Sequence, residues 1–129
     1  MAEFSRMRVL IVDDDEAIRN AMQKALKALG IENTEEASDG SEAVTMATDT
    51  EQAFDVAICD LNMPGEDGLI MAKRLGALRY APAIIFSSGL DDGMISLARD
   101  LAEGHGLKVL GVARKPLSLD SLKEFLESA

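Results

Sequence analysis

The chain predicts an α/β domain built as a doubly wound parallel sheet, (βα)₅, and three observations predict it. Strand-like and helix-like patterns alternate throughout, with no Gly/Ser/Pro-rich linker and no internal repeat between them. Four short runs are continuously apolar, as strands covered on both faces are: Val9-Leu10-Ile11-Val12, Val56-Ala57-Ile58-Cys59, Ala83-Ile84-Ile85-Phe86 and Val109-Leu110-Gly111-Val112. Each run leads into a polar group, in the order Asp13-Asp14, Asp60, Ser88 and Lys115-Pro116. Polar residues at the carboxyl ends of parallel strands converge on one crevice, where open α/β sheets bind ligands.

The elements follow in order. After the first strand and Asp15, the set Ala17, Ile18, Ala21, Met22, Ala25, Leu26 and Leu29 recurs at helical spacing, and Gly30 closes the helix. The segment from Ile31 to Ala37 carries Glu32, Glu35 and Glu36, too many charges for a central strand, and fits a sheet edge. Asp39 with Glu42 makes a capping-box-like start for a helix to about Asp49. Beyond the second apolar run, residues 62–68 turn the chain into a helix to about Leu78. Asp91-Asp92 cap a helix to about Glu103, ended by Gly104 and Gly106. Ser118 caps a final helix reaching Leu126. Right-handed crossovers and one polar edge favour the strand order 2-1-3-4-5, a flavodoxin-like arrangement. Strands 1 and 3 are then neighbours, and Asp13-Asp14 and Asp60 flank the switch point, while the second strand supplies no site residue.

Composition narrows the function. The 129 residues make one domain, expected over 7–128, with 1–6 as an extension or expression scar. A formal charge of −10 opposes direct nucleic-acid binding, which needs a basic patch. No apolar run approaches a membrane span, the N-terminus does not resemble a secretion signal, and the expected compartment is the cytoplasm. The single cysteine, Cys59, cannot pair internally and reads as a buried, reduced thiol.

Three carboxylates, a hydroxyl and an ammonium in one crevice suit Mg²⁺ and a phosphoryl group. Mg²⁺ prefers oxygen ligands and keeps several waters. The economical assignment makes Asp14 and Asp60 direct ligands, with Asp13 acting through a water and the carbonyl of Asn62 as backbone ligand. An aspartate can also be a nucleophile that forms an acyl phosphate. Clustered carboxylates repel the incoming group, so attack needs cations, which Mg²⁺ and Lys115 supply. The Ser88 hydroxyl is placed to donate to a phosphoryl oxygen. Taken singly these signals are weak, since an Asp-Asp pair at a helix start is usually a cap. The joint pattern is strong.

On Val-Leu-Ile-Val-Asp-Asp-Asp at 9–15, Cys-Asp-Leu-Asn-Met-Pro-Gly-Glu-Asp-Gly at 59–68, Ser-Gly at 88–89 and Lys-Pro at 115–116, the chain resembles the receiver domains of bacterial two-component response regulators. The resemblance implies that Asp60 accepts a phosphoryl group from a histidine kinase or phosphotransfer protein. It implies that Asp13, Asp14 and Asp60 hold Mg²⁺, that Lys115 contacts the phosphoryl group, and that Ser88 is the switch hydroxyl. The readout surface it implies is the last strand with its flanking helices, which would bind an effector protein, a second copy or a C-terminal output domain. The only chemistry implied is the protein's own phosphorylation and dephosphorylation, with side chains at Asn62 and Leu90 tuning the lifetime. The family often has an aromatic residue three before the lysine, where this chain has Val112, so signalling would rest on backbone and helix shifts. The segment Leu107 to Pro116 is weakly similar to receivers that precede EAL-type cyclic-di-GMP phosphodiesterase domains.

Other readings compete. A haloacid dehalogenase-type phosphatase uses a similar residue set, but Asn62 stands where its second aspartate would be, and the acidic pair comes first rather than last. A nucleotide or flavin carrier would need a phosphate loop after the first strand, where Asp13-Asp14-Asp15 stand instead. A receiver-like interaction module that takes no phosphate is the remaining alternative. His105, between two glycines past a helix end, reads as solvated. Met22, Met46 and Met71 read as core fillers, Met63 as packing under the site loop, and Glu32, Glu35 and Glu36 as a solvated edge.

Overall fold

The computed structural model describes residues 4–48, 53–60, 68–78, 81–88, 96, 99–100, 102–114 and 118–129. Five parallel strands, β1 (Arg8–Val12), β2 (Asn33–Ala37), β3 (Val56–Asp60), β4 (Ala83–Ser88) and β5 (Val109–Arg114), form one sheet in the order β2-β1-β3-β4-β5. The expected topology is therefore the one found, with the polar strand β2 at an edge.

Alternation along the strands sorts the apolar side chains into two cores. Val9, Ile11, Val56, Ile58 and Ile85 pack on one face with Met22 and Leu26 of helix α1 (Glu16–Ala28) and with Leu122 and Leu126 of the C-terminal helix (Leu119–Glu127). Leu10, Val12, Ala57, Cys59, Ile84 and Phe86 pack on the other. There they meet Ala43, Val44 and Ala47 of α2 (Gly40–Ala47), Met71 and Leu75 of α3 (Gly68–Gly76), and Ala102. Every residue of β3 is buried, as its central place demands. Met22 and Met71 are buried and Met46 packs partly against the second core, so all three are the core fillers expected. A 3₁₀ turn at Phe4–Arg6 leads into β1, with Phe4 and Met7 lying against the first core.

The helix ends follow local chemistry. At the end of α1, Gly30 adopts φ +94, its N–H donates to Lys27, and the N–H of Ile31 donates to Leu26. That is a Schellman closure, with Ile31 and Leu26 in the same core. Asp39 caps α2 as expected, accepting from the N–H of Glu42 at 2.7 Å. The Glu42 carboxylate accepts from the N–H of Ser38 at 3.4 Å rather than from the cap residue's own amide, so the box is displaced by one position. Helix α2 stops at Ala47, with Thr48 as its cap. Helix α3 stops at Gly76, short of the expected Leu78, and turns through N–H bonds from Ala77 to Arg74 and from Leu78 to Leu75. Ser118 caps the C-terminal helix by accepting from the N–H of Ser121 at 3.1 Å.

Strand β5 runs two residues beyond the predicted Val112, to Arg114, and its pairing with β4 is irregular. Ile84 faces Val109 but Ile85 faces Gly111, so Leu110 is an extra residue in the ladder. His105 is exposed, as expected of a residue past a helix end, and its carbonyl oxygen sits where a Cβ on Gly76 would stand. Among the described residues no helix is long and apolar enough to cross a membrane.

Candidate functional site

Strand β1 delivers Asp13 and Asp14 to the carboxyl edge of the sheet, and neighbouring β3 delivers Asp60. Asp13 and Asp60 are buried, at 4% and 2% exposure, while Asp14 is exposed. One carboxylate oxygen from each of the three can be chosen so that all lie within 4.8 Å of one another. The three predicted acidic residues are thus brought together.

A helix cap does not account for this pair. The cap of α1 is Asp15, whose side chain accepts from the N–H of Ala17 at 2.9 Å and of Ile18 at 3.4 Å. Asp13 is instead fixed from several sides. Its N–H donates to the carbonyl of Ala37 at 3.1 Å, and its Oδ1 accepts from the N–H of Asp15 at 2.9 Å. Its carbonyl accepts from Arg19 Nη1 at 2.6 Å.

Three like charges at this spacing, two of them withdrawn from water, repel one another. A hard dication relieves that repulsion, and an all-oxygen donor set on rigid strand ends matches Mg²⁺. The donor chemistry therefore fits the metal.

On β4, Ser87 pairs with Asp60 and Ser88 closes the strand opposite Arg114. Asn62, Met63, Leu90, Asp91, Lys115 and Pro116 lie outside the described residues. Beside Asp60, Cys59 is fully buried and reduced, as expected. Burial, and secondarily the Asp60 charge, push its thiol far above the ordinary range.

Two site neighbours escaped the sequence. Arg19 on α1 also places Nε 3.2 Å from Glu36 Oε1, so Glu36 is not merely a solvated edge acid, and β2 does reach the site through a partner. One signal pointed to Arg19. A cation one turn into a helix opposes the dipole, which favours acids there, unless it has a specific partner. The partner itself, on another strand, was not visible in the spacing.

Residues 9–127 match the family described as Response regulator receiver domain. The chain is 32% identical over 124 residues to chemotaxis protein CheY-3 of Vibrio cholerae serotype O1, covering 94% of this chain and 89% of that one. It is 32% identical over 120 residues to the cyclic di-GMP phosphodiesterase RocR of Pseudomonas aeruginosa, covering 93% of this chain but only 30% of RocR. Among solved structures, a response regulator receiver protein from Pseudomonas putida superposes with a TM-score of 0.80 at 29% identity, covering 96% and 98% of the two chains. These matches set aside the haloacid dehalogenase and flavin-carrier readings. The chain belongs to the response regulator receiver family, and its role is that of a phosphorylation-dependent receiver in two-component signalling.

Proposed function

We propose that Asp60 is the phosphoacceptor of this receiver. The observation that carries the reading is the placement of its buried carboxylate at the end of the central strand, within 4.8 Å of the oxygens of Asp13 and Asp14. Asp13, Asp14, Asp60 and the backbone carbonyl of Asn62 would hold Mg²⁺, whose charge offsets that of the carboxylates and the phosphoryl oxygens. An Asp60 oxygen attacks phosphorus in line while the bond from phosphorus to a donor imidazole nitrogen breaks. The nitrogen keeps the electron pair, and Asp60 becomes an acyl phosphate. Lys115 pairs with one phosphoryl oxygen, and the Ser88 hydroxyl donates to another, biasing a pre-existing active conformation.

The donor in this reading is a histidine kinase or a phosphotransfer protein. The readout runs through β5 and its flanking helices to an effector, a second copy or a C-terminal output domain. The unit that folds and switches is 7–128, acting in the cytoplasm and promoting only its own phosphorylation and hydrolysis. Intact mass after incubation with Mg²⁺ and a small acyl-phosphate donor tests the assignment. One added phosphoryl group, lost without Mg²⁺ and lost in Asp60→Asn, is the expected result. An Asp60→Asn variant that still takes up one group would move the acceptor elsewhere.

A further inference from the structure

We infer that Arg19 and Glu36 form a positioning pair that sets the Mg²⁺ affinity of the aspartate cluster; this rests on the metal reading given above. The Arg19 side chain is 16% exposed and serves two partners at once, with Nη1 on the carbonyl of Asp13 and Nε on the Glu36 carboxylate. Glu36 precedes Ala37, whose carbonyl takes the N–H of Asp13. The main chain of Asp13 is therefore gripped on both sides by β2, directly on its N–H and through Arg19 on its carbonyl. Asp13 and Asp14 are consecutive, so a rotation of the peptide joining them would separate carboxylates that now converge with that of Asp60.

A fork is what this task requires. The planar guanidinium holds Nε and Nη1 in fixed relation and serves two partners in different directions, whereas a lysine ammonium on a flexible stem would keep the charge but not the two-way bracing. Glu36 serves by accepting the hydrogen bond of Nε, a duty that an uncharged acceptor of the same shape can also perform. Outer partners that orient metal ligands characteristically alter metal affinity without touching the ion.

The test uses the full chain, with Mg²⁺ binding followed by calorimetry and amide hydrogen exchange followed at Asp15, whose N–H is held by the Asp13 carboxylate. Arg19→Lys, which keeps the charge, is expected to weaken Mg²⁺ binding about 10-fold and to speed exchange at Asp15 while unfolding stays cooperative. Glu36→Gln, which retains an acceptor for Nε, is expected to bind Mg²⁺ within about 3-fold of the parent, and Arg19→Ala to lose at least as much as the lysine variant. An Arg19→Lys chain with parental Mg²⁺ affinity and parental Asp15 exchange overturns the inference. A parent chain that binds no Mg²⁺ overturns the metal reading and this inference with it. That outcome is recognised by the parent alone, before any variant is compared.

Discussion

The ring of Phe125 lies directly over Gly111, in the space that a Cβ on β5 would occupy. The C-terminal helix can approach the sheet this closely because that position carries no side chain. Gly111→Ala forces the ring outward and is expected to cost about 1–3 kcal/mol, as overpacking does. Denaturant unfolding measures it, and the penalty should shrink when Phe125 is also changed to Leu. Equal penalties in both backgrounds would mean that the ring is not what the new methyl meets.

Asp15 and Asp14 are adjacent acids with separate duties. Asp15→Ala removes two hydrogen bonds to the first turn of α1 and should lower stability by about 1 kcal/mol. Its effect on Mg²⁺-dependent phosphorylation should be small. A large loss of phosphorylation with parental stability would place Asp15 in the site instead.

Asp14→Asn should behave in the opposite sense. Without Mg²⁺, removing one of three crowded charges is expected to raise the melting temperature by about 2–4 °C. Adding Mg²⁺ should then stabilise the variant far less than the parent, since ligand that binds only the folded state stabilises it by mass action. Scans with and without Mg²⁺ read both halves of the prediction, and a parental response to Mg²⁺ would remove Asp14 from the ligand set.

Cys59 predicts an alkaline limit on stability. Below about pH 9 its thiol is protonated in the folded and unfolded chains alike and contributes no slope. Above that, the unfolded chain sheds the proton while the buried thiol keeps it, so stability falls as pH rises. The fall from this group is about 1.4 kcal/mol per pH unit. Comparing Cys59→Ala with the parent between pH 8 and 10 isolates that contribution. The native thiol should also resist a disulfide reagent at pH 8 until denaturant is added.

Much of this architecture was legible because its information is local. Apolar runs such as Val56-Ala57-Ile58-Cys59, punctuated by acids, announce both the strands and the crevice at their ends. Caps such as Asp39 and Ser118, and the closure at Gly30, follow from side-chain and backbone chemistry within a few residues. What escaped was relational. Nothing near Arg19 says that Glu36 will stand beside it, because their meeting depends on how β2 is laid against β1. Gly111 reads as a weak strand residue until the ring of Phe125, on a helix fourteen positions later, is seen above it. Gly76 likewise reads as an ordinary helix-weakening glycine until the His105 carbonyl is seen where its Cβ would stand.

Leu110 sets the phase of everything that follows it. From Ile84 to Ser88 the chain takes four steps, while the partner strand takes five, from Val109 to Arg114, over the same stretch of sheet. Residues beyond the extra one consequently address the opposite face from the one a simple alternation would assign. Counting along the primary sequence from Val109 to Arg114 overstates the distance by one rung. A deletion that restored an even ladder would turn every later residue of the strand, Gly111 under Phe125 included, to the opposite face, although the composition of the strand would hardly change.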